Sequence, residues 1–165
     1  MKYTFAAALA ALCVVAGTAY AGSNVIGSVE TNARVNRASQ SQSGLLNKQE
    51  ATFASVSDSN VIGSVSTRAQ VERADQRQSG LLNKQALHVG SVKGSNVIGA
   101  VDTNARVTSV TQRQSGLLNK QEANIGAVEG SNLIGYGRTR VYVNRVNQNQ
   151  SGLLNKQKIS IGSID

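Results

Sequence analysis

From residue 25 the chain alternates between two kinds of side chain. Val25, Gly27, Val29, Thr31, Ala33 and Val35 are small or apolar, and between them stand Ile26, Ser28, Glu30, Asn32, Arg34 and Asn36. A period of two predicts a strand with one face turned inward. After Asn36-Arg37 the parity changes, so that Ala38, Gln40, Gln42 and Gly44 share a face; a bend or bulge accounts for the shift. A Ser-Gly-Leu-Leu corner follows. Beyond it Asn47, Gln49, Ala51, Phe53 and Ser55 alternate with Lys48, Glu50, Thr52 and Ala54, which predicts a second strand. Ser57-Asp58, Lys93-Gly94 and Glu129-Gly130 carry turn chemistry. No apolar set recurs at the 3.6-residue spacing, and β-branched residues and glycine are abundant, so a helix is disfavoured.

The same pattern returns at a constant interval. Gln-Ser-Gly-Leu-Leu-Asn-Lys-Gln begins at Gln42, Gln78, Gln114 and Gln150 without a change, a period of 36 residues. Ser-Asn-Val-Ile-Gly begins at Ser23, Ser59 and Ser95 and returns at Ser131 as Ser-Asn-Leu-Ile-Gly. The inward sites of the second strand become Leu87 and Val89, Ala123 and Ile125, then Ile159 and Ile161, while the outward residues vary. Units that repeat in this way bury their faces against one another rather than in private cores. The expected fold is therefore all-β, a β-solenoid of four stacked 36-residue repeats over 23–58, 59–94, 95–130 and 131–165, in one repeat domain spanning 22–165.

Stacking predicts columns of identical residues. Gln42, Gln78, Gln114 and Gln150 form one; Asn47, Asn83, Asn119 and Asn155 another; Gln49, Gln85, Gln121 and Gln157 a third. A primary amide both donates and accepts, so each copy can bond to the copies above and below, as in the amide ladders of cross-β stacks. The other reading places these amides on a solvated surface; their fixed identity beside a variable outer face favours the ladder. Gly44, Gly80, Gly116 and Gly152 are expected to permit a tight corner that a Cβ would obstruct. Ile26, Ile62, Ile98 and Ile134 fall on the outward parity and would make an apolar stripe for lateral contact, unless a twist near Gly27 turns them inward.

Composition decides what surrounds this array. Met1-Lys2, an apolar run over residues 6–16 and Ala19-Tyr20-Ala21 have the form of a secretory signal peptide over residues 1–21. The run is too short to span a bilayer, and no transmembrane segment is expected after cleavage. Cys13, the only cysteine, lies within it, and its flank Ala10-Ala11-Leu12 lacks a small residue just before the cysteine, where lipoprotein processing requires one. The remaining chain has no Cys, Met, Trp or Pro, which excludes disulfides and thiolate metal sites. The absence of proline suits strands that must all donate ladder hydrogen bonds.

The net charge of +8 falls to +7 once Lys2 leaves with the leader. Lys48, Lys84, Lys120 and Lys156 occupy one column. It is either a basic stripe for extracellular DNA, acidic polysaccharide or other anionic matrix polymers, or a solvated edge that keeps the chain soluble. Aromatics interleaved with the basic residues are not evident, so specific nucleic-acid recognition is not expected. His88 has no counterpart at Thr52, Asn124 or Ser160 and reads as an incidental surface residue. The acidic residues form no repeated pair and no phosphate-cradling glycine motif occurs. No catalytic residue, metal site or cofactor is expected.

Gln42-Ser43-Gly44-Leu45-Leu46-Asn47 and its three copies resemble the Gln-x-Gly-x-x-Asn heart of curli subunits, the secreted functional amyloids of Gram-negative biofilms. The curli pattern has Ser six positions before the Gln, where this chain has Asn36, Glu72, Thr108 and Asn144. It has a second Gln six positions after the Asn, where this chain has Phe53, Val89, Ile125 and Ile161. The unit is also longer than a curli repeat and forms either one broad rung or two. The resemblance implies a fibre subunit at the cell surface that polymerises with itself and is served by a secretion channel and a nucleator or minor subunit. The Val-Ile-Gly-Ser-Val blocks resemble head repeats of trimeric autotransporter adhesins, which implies a non-amyloid adhesin as the alternative. A basic matrix-binding protein is a third reading.

Overall fold

The computed structural model describes the backbone of residues 11–16, 20–21 and 24–164, and the side chains of 24–164. Most of the expected signal peptide and its cleavage point lie outside the described residues. Within residues 1–21, β1 (Ala11–Ala16) runs parallel to β4 (Lys48–Phe53), and β2 (Tyr20–Ala21) parallel to β5 (Val56–Ser57).

The rest is a β-solenoid of about four turns. β3 (Asn24–Leu45), β6 (Asn60–Leu81), β9 (Asn96–Leu117) and β12 (Asn132–Ser151) stack in parallel as the front layer. β4, β7 (Lys84–Val89), β10 (Lys120–Ile125) and β13 (Lys156–Ile161) stack behind them. β5, β8 (Val92–Lys93) and β11 (Val128–Glu129) complete the back layer, which ends in the bridge between Val128 and Ile164. Each residue pairs with the one 36 positions on, as Val29 with Val65 and Val65 with Val101. One repeat is thus one rung, and successive copies lie a single strand spacing apart, about 4.8 Å.

The bend expected after Asn36 is present in every rung. The register passes from Val35–Val71 to Arg37–Arg73 without pairing Asn36, and both Asn36 and Arg37 are exposed. Inward parity resumes at Ala38 and Gln40.

Three further changes of direction use left-handed backbone. Leu46, Leu82, Leu118 and Leu154 have φ of 56–57°. The second set is Ala54, Gly90, Gly126 and Gly162, and the third Asp58, Gly94 and Gly130. Glycine fills most of the last two sets because a side chain in this region costs energy. The Leu set is held by Asn47, whose Nδ2 donates to Gly44 O at 3.0 Å across the corner, and the other copies do the same. Gly44, Gly80, Gly116 and Gly152 stand just before the leucine, with φ of 111–127°. Glycine is required because the rungs touch: a Cβ on Gly80 would lie 1.8 Å from Gly44 O.

Two apolar clusters fill the space between the layers. Ala33, Val71, Val107 and Val110 of the front meet Phe53, Leu87 and Ile125 of the back. Val29, Val61, Val65 and Val97 meet Val56, Val92 and Val128. The back strand shares out its volume, with Ala51 beside Phe53, Leu87 beside Val89 and Ala123 beside Ile125, so each rung fills a similar space. Between the clusters the inward threonines tie the layers together: Thr67 Oγ1 donates to Gly90 O at 2.9 Å and Thr103 Oγ1 to Gly126 O at 3.0 Å.

Candidate assembly site

Rungs in register set amide over amide. Gln78 Nε2 donates to Gln42 Oε1 at 3.2 Å, Gln114 to Gln78 at 2.8 Å and Gln150 to Gln114 at 2.7 Å. Gln85, Gln121 and Gln157 repeat the arrangement above Gln49 at 3.0–3.1 Å. Alternation placed Gln40 inward without marking it as a ladder, yet Gln76, Gln112 and Gln148 form above it the shortest of these columns, at 2.6–2.7 Å. Its recurrence in all four repeats carried that signal. The second amide hydrogen goes to backbone across the core, as from Gln76 Nε2 to Ala86 O at 3.2 Å. A buried amide left unpaired would cost about 1–3 kcal/mol, and the stack supplies the pairing.

The ladders have direction. In the glutamine columns each rung donates to the preceding one. The exposed asparagine column from Asn24 to Asn132 does the same, but in the buried one Asn47 Nδ2 donates to Asn83 Oδ1 of the following rung at 3.1 Å, and Asn83 and Asn119 continue it at 3.0 Å. Each column therefore ends in an unmatched group. Two enclosed oxygens without a hydrogen-bond partner sit at such ends: Asn47 Oδ1 in the first rung and Gln148 Oε1 in the fourth.

Charge also follows the rungs. Rung one balances Glu30, Glu50 and Asp58 against Arg34, Arg37 and Lys48, and rung three balances Asp102, Glu122 and Glu129 against Arg106, Arg113 and Lys120. Rung two carries a net charge of +3; the rung-four repeat has five cations and one acidic residue, a net of +4. An ion pair crosses each boundary between neighbouring rungs. Arg68 Nη1 meets Glu30 at 2.7 Å, Lys93 Nζ meets Glu122 at 2.5 Å, and Lys158 pairs with Glu129.

The lysine column stands at single-rung spacing, in register from Lys48 to Lys156. At this distance its members repel, and Glu50, 3.2 Å from Lys48, and Glu122, 3.7 Å from Lys120, offset part of the cost.

Residues of the back strand assigned outward do not all face solvent. Ala54 is enclosed at its left-handed turn, and Ala86, Glu122 and Asn124 are buried, because the layer folds inward at residue 54 and its two parts flank a groove. His88 is half-buried in a cleft of about 190 Å³ in this groove, not on an open surface as expected. Burial, with Lys93 beside it, lowers its pKa below the ordinary 6.5. Burial works against the Glu122 charge too, but the hydrogen bond and charge of Lys93 and the Asn124 amide outweigh it and hold that carboxyl at about 2.

Outside, Ile26, Ile62, Ile98 and Ile134 are all exposed, from 50 to 88 %. Parity therefore holds through Gly27. Four pairs of leucines, from Leu45-Leu46 to Leu153-Leu154, form a second exposed apolar ridge along the corner. In rung four Tyr136, Arg138, Arg140 and Tyr142 share the outward face of β12, and Arg106 lies 5.9 Å from the Tyr142 ring centroid. The expectation that no aromatics interleave with basic residues is thus corrected for this rung, and the alternation of Gly135 to Val143 held the signal.

Among the described residues no group of His, Cys, Asp and Glu is arranged to hold a metal ion. The geometry defines a class, a parallel β-solenoid with one rung per repeat, internal amide ladders and two unlike ends, the first covered along its back layer by β1 and β2 and the last open. Compared with models of known families, with curated proteins and with solved structures, the chain matches none.

Proposed function

We propose that the protein is a secreted structural subunit, curli-like, that self-assembles into extracellular amyloid-like fibres for biofilm cohesion or surface adhesion. The observation that carries this reading is the identity of the interior boundaries: each repeats the same backbone register and amide columns, so the fourth rung, and the first once residues 1–21 are removed, presents half of a boundary already built three times within the chain. Unpaired backbone groups and ladder ends make such an edge a template for another chain. The subunit's role is structural rather than enzymatic, and its site is the cell surface of a Gram-negative bacterium, reached through a secretion channel with a nucleator to start growth. The row of Tyr136, Arg138, Arg140 and Tyr142 favours a second, accessory role, adhesion to anionic matrix polymers.

The secreted protein should form thioflavin-positive, SDS-resistant fibres with a reflection near 4.7 Å. Gln42→Ala combined with Gln150→Ala should slow fibre growth more than Lys48→Gln combined with Lys156→Gln, because the first pair removes ladder ends and the second only repulsion. A soluble monomer at all concentrations would end the fibre reading in favour of the adhesin. Equal growth of wild type and the double glutamine variant would remove the ladders from the mechanism.

A further inference from the structure

We infer that the two ends of this solenoid are complementary to each other and not to themselves, so that the first rung of one copy seats on the fourth rung of another in a single polarity set by charge and amide direction. The inference rests on the fibre reading and adds which surface meets which.

Three boundaries lie inside the chain, and each joins a rung of net charge zero to one of +3 or +4. Within the columns the sign changes accordingly. One front column reads Glu30, Ser66, Asp102, Arg138, and one groove column reads Glu50, Ala86, Glu122, Lys158. Continuing the 36-residue register into a second copy sets Arg138 over the next copy's Glu30 and Lys158 over its Glu50. A fourth boundary of the interior kind results, neutral against +4. Lys156 over Lys48 and Arg145 over Arg37 are the unfavourable contacts, and like contacts are already tolerated within the chain, where Lys48 stacks on Lys84 and Arg37 on Arg73.

The amides select the same polarity independently. Gln148 Oε1, enclosed and without a donor, would receive Nε2 of the next copy's Gln40, as Gln112 Oε1 receives that of Gln148 at 2.6 Å. Asn155 Nδ2 would donate to the next copy's Asn47 Oδ1, the orphan oxygen at the opposite end. Reversed docking, fourth rung on fourth rung, sets +4 against +4 and offers Gln148 Oε1 no Gln40 Nε2. First rung on first rung carries no net charge on either side and offers Asn47 Oδ1 no Asn155 Nδ2, so there the amides alone select against it. Like charges in contact are an established means of excluding wrong partners.

The test uses the full chain expressed with its leader and collected as the secreted form, with growth followed by thioflavin fluorescence and folding checked by circular dichroism. One variant reverses the start (Glu30→Lys, Glu50→Lys), another the end (Arg138→Glu, Lys158→Glu). Each alone should elongate roughly tenfold more slowly than wild type or worse, because both sides of its own boundary carry one sign. An equimolar mixture should recover elongation, since each variant's end then meets the other's start, and the fibres should contain the two in equal amounts. Recovery on mixing also separates a reversed interface from a failure to fold. Wild-type growth rates for the separate variants, or folded variants whose mixture grows no faster than its components, would overturn the charge code. Absence of fibres from wild type itself would overturn the fibre reading instead.

Discussion

Ile125 and Ile161 hold the same place in successive rungs, yet the first is wholly buried and the second is 45 % exposed. Nothing local separates them, since both follow Lys-Gln at the same distance on strands of equal length. The difference is the rung above: Ile125 is covered by β13, while among the described residues no strand covers Ile161. An interior rung is therefore a finished structure, and the fourth rung is the same structure with half of its contacts missing.

The backbone offers the sharpest way to break this comparison. A Cβ on Gly116 would lie 1.7 Å from Gly80 O, whereas one on Gly44 meets only Asn47 Oδ1 at 3.8 Å. Gly116→Ala should separate two rungs and cost more than about 4 kcal/mol, within the exceptional range for single substitutions. Gly44→Ala should cost only backbone strain, about 1–3 kcal/mol. Denaturant unfolding of the two monomers measures this directly, and equal losses would mean that the rungs are not in contact.

Side-chain truncation gives the next largest effect. Ile125→Ala should destabilise the monomer by about 2–5 kcal/mol, and Ile161→Ala by well under half of that. In fibres assembled head to tail the two should converge, because Ile161 is then covered as well; comparing monomer and fibre denaturation midpoints for both variants checks it.

Acid tests the groove. With the Glu122 pKa at about 2 against an ordinary 4.5, its charge stabilises the fold fully above about pH 4.5, and that contribution is lost as pH falls from there through 2. The amount is on the order of 3 kcal/mol for a side chain only 8 % exposed. His88 acts in the same direction at higher pH. Its folded pKa is depressed, so the unfolded chain takes up the proton first and stability starts to fall as pH drops below about 6.5. His88→Gln should flatten the upper part of the stability curve, and Glu122→Gln the lower part.

The smallest effect on folding belongs to the outer isoleucines. Replacing Ile26, Ile62, Ile98 and Ile134 by Thr keeps β-branching and should change stability by only about 0.5 kcal/mol per site. Single filaments should persist while their bundling, seen by electron microscopy, declines. Loss of the filaments themselves would assign the column to the core.

Much of this architecture was legible in the residues because a strand has a period of two and a stack has a period of one repeat. Together these place Val29, Ala33, Gln42 and Gln49 inside and Ile26 and Lys48 outside, and they imply amide ladders. What alternation cannot express is the course of a layer after it leaves the plane of its own strand. Ala86, Glu122 and Asn124 have outward parity and are buried all the same, because the left-handed turns at Ala54, Gly90 and Gly126 fold the back layer around a groove. The number of rungs per repeat was equally undecided, since a 36-residue period fits one broad turn or two narrow ones. Only the pairing of each residue with its counterpart 36 positions on resolves it. Ladder direction and the cross-rung ion pairs arise at the same level, because donors and charges acquire partners only when one rung is laid upon another.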